Sequence, residues 1–382
     1  MHTNPVLDRL GSYPIAELQE KARAMRAAGR PLIDFSVGDP REPTPGFIPD
    51  ALKASIPTVS QYPTTTGLPE LRRAVADYVH RRFGVEIDPD LNVLPTAGSK
   101  EAIFSAPLAF VDRAAGDAVV WATPGYPIYE RGALLAGAEG HPVTLSNDFI
   151  LRPEQIPDPV WDRASIVWTN YPHNPTGALA SRAEVEAMYR KARDTDTWLM
   201  GDECYVDLYE DEPPPSILEV ADAGLAGALS FLSLSKRSGM TGYRSAVVVG
   251  DARAINALRA LRTSTGTASP EFVQGAAIAA WADDEHVAQR REIFSTKRAV
   301  LKAAFEDLGY RVVASRAGLY LWVRVDDDVA VAARLLAGGV LVSPGSAFGA
   351  GGEGFIRLAL VPTLEDSEHA VEVLKTCLTE NR

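Results

Sequence analysis

Two residue placements suggest chemistry before any fold is considered. Lys236 closes the apolar run "FLSLS", and Arg244 follows eight residues later, just before the second apolar run "SAVVVG". Asp202 closes "WLMG", with Tyr205 three residues on. The run "VWTN" leads into "YPHNPTG", which carries Asn174, and "TAGSKEAI" places Gly98, Ser99 and Lys100 at the start of a helical pattern. A lysine at an apolar strand end is a nucleophile and base once desolvation lowers its pKa. A helix start beside a guanidinium suits an anion. Each piece also has a plainer reading. Asp202 alone reads as a cap or turn residue, Lys236 as a solvated loop charge, "NPTG" as a turn and "AGS" as a helix cap.

The surrounding elements decide whether these residues can meet. "DAVVWA", "ASIVWTN", "TWLMGD", "ALSFLSLS" and "SAVVVG" read as strands. "LPELRRAVADYVHRRFG", "SKEAIFSAPLAFV", "YPIYERGALLAGA" and "SRAEVEAMYRKARD" read as helices between them. Short apolar runs alternating with helices predict βαβ units: an α/β fold whose mostly parallel mixed sheet is covered by helices on both faces. Ligands of such sheets collect at the carboxyl ends of the strands, so the polar residues above form one cup. From about Pro270 the pattern changes. The segment from Glu271 to Gly309 reads as one or two long helices, and "GLYLWVRV", "FIRLAL" and "LEDSEHAVEVLKTCL" read as two strands and a final helix. This predicts a smaller α+β domain. The helix "PIAELQEKARAMRAAG" joins it, giving a large domain over 46–284 and a small one over 1–45 and 285–382.

Composition narrows the class. The chain has 382 residues and a formal net charge of -12, which argues against nucleic acid and anionic membranes as partners. Two cysteines outside any CxxC pair and six scattered histidines predict neither a disulfide framework nor a metal site. The start "MHTNPVLDRLGSYP" lacks a signal-peptide pattern, and no apolar run is long enough to span a bilayer. A cytoplasmic enzyme is the expectation. "GAGGEG" at 349–354 matches a dinucleotide-binding pattern but precedes a strand instead of joining a strand to a helix, so it reads as a loop beside Arg357.

In order and spacing, these motifs resemble the aspartate-aminotransferase family, the pyridoxal-phosphate enzymes of fold type I, aminotransferase classes I and II. The resemblance runs from "VGDP" at Val37 to "FIRLAL" at Phe355. It implies pyridoxal 5'-phosphate as cofactor, with Lys236 attaching it covalently and later shuttling a proton. Asp202 would pair with the pyridine nitrogen, Tyr205 and Asn174 with the ring hydroxyl, and Tyr126 would stack on the ring. Gly98, Ser99, Lys100, Ser233 and Arg244 would hold the phosphate. Tyr62 would reach the phosphate of a neighbouring subunit, so a homodimer with shared sites is expected. Arg357 would clamp the substrate α-carboxylate, with Asn174 beside it, and the backbone of Gly38 would close over the substrate. The residue types suit these roles, because a carboxylate against the pyridine nitrogen keeps the ring an electron acceptor. His173 and Ser245 depart from the family pattern, and the isomer of the Asn174–Pro175 bond is open.

Three segments, "LDRLGSYPIAELQE", "PIYERGALLAGAEGHPV" and "SLSKRSGMTGYRSAVVVGD", are similar to the succinyldiaminopimelate aminotransferase branch, which implies amino transfer from glutamate in lysine biosynthesis. Such a substrate needs a further cation beyond Arg357, for which Arg41 and Arg237 are candidates. The alternatives are another aminotransferase of the family (aspartate, aromatic, branched-chain or LL-diaminopimelate type), a C–S β-lyase, or a non-catalytic cofactor-binding regulator.

Overall fold

The structure, a computed structural model, describes residues 2–10 and 16–379. Pro14 and Ile15, which open the expected N-terminal helix, lie outside the described residues; the helix is seen over Ala16–Ala27. No helix among the described residues is long and apolar enough to cross a membrane.

Seven strands form the main sheet: β1 (Val93–Thr96), β2 (Ala118–Thr123), β3 (Glu139–Thr144), β4 (Ala164–Thr169), β5 (Trp198–Asp202), β6 (Ala228–Ser233) and β7 (Ala246–Gly250). Their spatial order is β1-β7-β6-β5-β4-β2-β3, parallel throughout except that β7 runs against both its neighbours. Successive strand residues point to opposite faces, and here both faces are buried. Val93, Val120, Val167, Leu199, Leu232 and Val247 pack into one core with Leu71, Met188 and Trp281. Leu94, Val119, Trp168, Met200, Phe231 and Val248 pack into the other with Ile103, Ile128 and Ile255. That double burial is why the strands read as unbroken apolar runs.

Glu139–Thr144 was not legible as a strand. It is the sheet edge, mostly exposed, and carries Gly140 and Pro142; an edge tolerates proline because one row of its backbone groups has no ladder partner. The helix expected from Ser99 onward is interrupted. It runs as Ser99–Ser105 and then Pro107–Phe110, with the proline at the first position of the second piece.

The long segment after Pro270 is two helices. Glu271–Ala282 contributes Ala276, Ala280 and Trp281 to the first core of the sheet. Glu285–Asp307 contributes Phe294, Leu301 and Phe305 to a separate core. That second core lies under an antiparallel sheet formed by β8 (Arg311–Val313), β9 (Tyr320–Arg324), β10 (Ser343–Pro344) and β11 (Phe355–Ala359), in the order β10-β11-β9-β8. Near the N-terminus, Ile33–Asp34 pairs in parallel with Val340–Leu341. The architecture is the α/β sheet with a smaller α+β unit expected above.

Candidate active site

The carboxyl edge of the main sheet gathers the polar residues. Asp202 is the last residue of β5, Lys236 lies one short turn beyond β6, and Gly98 and Ser99 follow β1. Antiparallel β7 starts at this same edge, with Ala246 opposite Ser233. The hairpin between β6 and β7 therefore brings Arg244 back beside the lysine. A cavity of about 480 Å³ opens here, lined by Gly38, Ser99, Lys100, Tyr126, Asn174, Asp202, Tyr205, Ser233, Lys236, Arg244 and Arg357.

Lys236 is half-buried, and desolvation of its amine pushes its pKa down to about 8, opposed by Asp39 and Cys204 and reinforced by Arg244 and Arg357. Its Nζ donates to the carbonyl of Gly38. Asp202 is 4% exposed. Burial raises its carboxyl pKa, against which the Cys204 and Tyr129 contacts hold it down. Tyr129 Oη donates to Oδ2 at 2.8 Å, and the Cys204 N–H donates to Oδ1 at 3.3 Å. Asn170 donates to the Asp202 carbonyl at 2.7 Å and accepts the Asn174 N–H at 2.9 Å, so β4 and β5 jointly place the "NPTG" turn. The Asn174–Pro175 bond is cis.

At one side of the cavity Arg244 lies against the backbone of Gly98. Gly98 has φ +100°, a conformation that favours glycine, and a Cβ built there would stand 2.3 Å from Arg244 Nη2 and push the guanidinium aside. At another side Arg357 donates to Asn174 Oδ1 at 3.0 Å and to the Ser36 carbonyl at 2.5 Å. Its guanidinium lies 4.6 Å from the ring centre of Tyr320 and 4.4 Å from that of Phe348.

Other expected residues lie elsewhere. Tyr62 is fully exposed and outside the cavity. Arg237, a candidate for a distal carboxylate, is a correction. It is 3% exposed and donates to Asp207 at 2.8 Å, to Asp284 at 2.5 Å and to the Ala280 carbonyl at 2.7 Å. Its charge is spent on a buried network, away from the cavity lining. Arg41 is exposed and also absent from the lining. His173 is fully buried, bonded to Thr176 Oγ1 at 2.8 Å, and pushed down to about 3 by burial, so it is neutral. The glycine-rich stretch 349–354 is a loop ahead of β11.

Among the residues of the site not singled out from sequence are Tyr129, Tyr320, Phe348 and Gln19. Tyr320, Phe348 and Gln19 line the cavity, and Tyr129 stands behind Asp202. The one available signal was position. Tyr129 follows Tyr126 by three residues, which a helix start places on neighbouring faces.

The family model of class I and II aminotransferases matches residues 30–374. The chain belongs to that family. It is 37% identical over 379 residues to an LL-diaminopimelate aminotransferase of Desulforudis audaxviator, covering 97% of this chain and 96% of that protein. An aminotransferase from Neisseria meningitidis shares the fold with a TM-score of 0.91 and 32% identity, covering 98% of this chain and 100% of that one. A Thermus thermophilus structure described as a probable N-succinyldiaminopimelate aminotransferase gives 0.88 and 28%, covering 95% and 100%. Class I and II aminotransferases use pyridoxal phosphate, and the cavity residues fit that group. A lysine amine of depressed pKa, a buried carboxylate with two fixed donors, and a guanidinium cradled on a glycine match its aldehyde, its ring nitrogen and its phosphate. The enzyme is a pyridoxal-phosphate-dependent aminotransferase acting on an amino acid and a 2-oxo acid.

Proposed function

We propose that this aminotransferase takes N-succinyl-LL-2,6-diaminopimelate and 2-oxoglutarate as its substrate pair, with glutamate as amino donor in the synthetic direction of lysine biosynthesis. The observation that carries the reading is the charge of the cavity. Lys100, Lys236, Arg244 and Arg357 line it, and among the described lining residues Asp202 is the only carboxylate. Asp202 is committed to Tyr129 and Cys204 at the ring end. An unacylated diaminopimelate carries a second ammonium that would meet no uncommitted carboxylate among the described lining residues, and an unpaired buried charge is costly. An acylated amine removes that charge.

When bound, the cofactor supplies an electrophilic aldehyde and an electron-accepting ring. In our reading the chain does the rest. The Lys236 amine, neutral above a pH of about 8, anchors the cofactor and then carries the α-proton. Asp202 holds the opposing charge. Gly98, Ser99, Lys100, Ser233 and Arg244 would hold the phosphate, while Tyr205 and Asn174 would hold the ring hydroxyl and Tyr126 would cover the ring. Arg357 would fix the α-carboxylate, and the backbone of Gly38 would close over the substrate. Both substrates use one site in turn, which predicts parallel lines in a double-reciprocal plot.

A second reading, LL-diaminopimelate itself as substrate, is favoured by the name of the Desulforudis relative. Half-reaction absorbance with each amino acid separates the two. The proposal expects kcat/KM for the N-succinyl compound to exceed that for LL-diaminopimelate by about tenfold or more, the equivalent of about 1.4 kcal/mol. A preference in the other direction transfers the assignment to the second reading.

A further inference from the structure

Tyr320 lies outside the residues that the sequence singled out, yet it touches three of them. It opens β9, is 3% exposed and lines the cavity. Its hydroxyl stands 2.6 Å from the hydroxyl of Tyr205, with the two rings edge to face at 5.5 Å and 69°. Its ring face carries the Arg357 guanidinium at 4.6 Å. The same hydroxyl fills the space that a side chain at position 38 would need, because a Cβ built on Gly38 would stand 2.8 Å from Tyr320 Oη. Gly38 in turn accepts the hydrogen bond from Lys236.

We propose that Tyr320 is a positioning residue that ties the cofactor end of the cavity to its carboxylate end. Its hydroxyl orients Tyr205 as a donor, and its ring sets the plane of Arg357. The inference rests on the roles of Tyr205 and Arg357 proposed above. A phenol has one proton. If Tyr205 spends its proton on the cofactor's ring hydroxyl, the proton shared between the two tyrosines must come from Tyr320. A donor that also accepts a hydrogen bond in a low-dielectric site is a stronger donor. Burial raises the Tyr205 phenol well above its ordinary pKa, so its hydroxyl keeps its proton at neutral pH and remains a donor. On the other face of the arrangement, a cation over an aromatic ring is favoured when desolvated, and Arg357 is 5% exposed. The two functions use different parts of one side chain, and substitution can separate them.

The test compares reconstituted holoenzymes. Tyr320→Phe removes the hydroxyl and keeps the ring. It is expected to raise the apparent pKa of the visible lysine–cofactor absorbance by roughly half a unit to one unit, and to leave KM for glutamate within about twofold. Tyr320→Leu removes both and is expected to raise KM for glutamate by roughly threefold to thirtyfold. Gly38→Ala should weaken cofactor binding to the apoprotein, and adding Tyr320→Phe should restore it, since the nearest remaining ring carbons stand at 3.6 and 3.7 Å from the new Cβ. An unchanged spectral pKa in Tyr320→Phe, or equal KM values for the Phe and Leu variants, overturns the proposal. Should Tyr320→Leu fail to fold, the Phe titration and the Gly38→Ala rescue decide. Two controls locate a failure in the underlying roles. An unmoved spectral pKa in Tyr205→Phe, or an unmoved KM in Arg357→Lys, removes the basis and the proposal with it.

Discussion

Lys236 is held where an amine is least comfortable, and its reactivity follows from that. With the folded pKa at about 8 against the ordinary 10.5 of a lysine, the unfolded chain binds more protons than the folded one between those values. Stability of the cofactor-free protein therefore rises with pH across that window, and the penalty is full below about pH 8. At 1.36 kcal/mol per unit it amounts to about 3 kcal/mol. Lys236→Met removes the charge and keeps the length, so the cofactor-free variant should be more stable than wild type at pH 7 by up to about 3 kcal/mol in urea unfolding, with the gap closing by pH 10.5. A variant less stable than wild type at pH 7 would show that the lysine is not strained there. Residues of this kind were legible in the sequence because a lysine or aspartate ending an apolar run conflicts with its surroundings. Tyr129 and Tyr320 were not, because an aromatic at helix or strand spacing is what any core contains. Only the structure shows their hydroxyls turned to Asp202 and Tyr205.

Elements set those residues on one edge. The β6–β7 hairpin returns Arg244 to Lys236, and this was legible as two apolar runs around a glycine-punctuated turn. The reading of Arg237 failed because a charge beside a catalytic lysine in sequence points the other way in a tight turn. In the structure it joins the turn Leu234–Arg237 to the helices Pro69–Phe83 and Glu285–Asp307 through Asp207, Tyr78 and Asp284. Its guanidinium also lies 4.9 Å from the ring centre of Tyr78 and 5.3 Å from that of Trp281. Breaking such a network leaves Asp207 buried with one cation fewer, at a cost of about 3 kcal/mol. Arg237→Ala is therefore expected to lower the urea midpoint at unchanged slope while KM for either substrate stays within about twofold. A raised KM at unchanged stability would return Arg237 to the substrate. The edge strand Glu139–Thr144 escaped the sequence because half-solvated backbone needs no apolar pattern.

At the scale of the molecule, the core shared with Leu71 and Trp281 and the core under the antiparallel sheet both reach the cavity, through Phe348 and through Tyr205 and Tyr320. The break between the helices Glu271–Ala282 and Glu285–Asp307 is where the chain passes from one to the other. We propose that residues 46–284 act as the cofactor-binding unit and that 1–45 with 285–382 act as the smaller one, carrying Gly38 and Arg357 over the substrate. We also propose a homodimer in which exposed Tyr62 completes the neighbour's phosphate site. Mixing Tyr62→Ala with Lys236→Ala subunits places one intact site in each mixed dimer, so activity should exceed that of either variant alone. No gain on mixing, with subunit exchange demonstrated, would contradict shared sites. The account as a whole turns on one covalent attachment, and mapping the entire chain tests it. Holoenzyme reduced with borohydride, digested and sequenced by mass spectrometry should carry the cofactor on the peptide containing Lys236 and on no other. A labelled peptide elsewhere, or a chain that turns over substrate with none labelled, would contradict it.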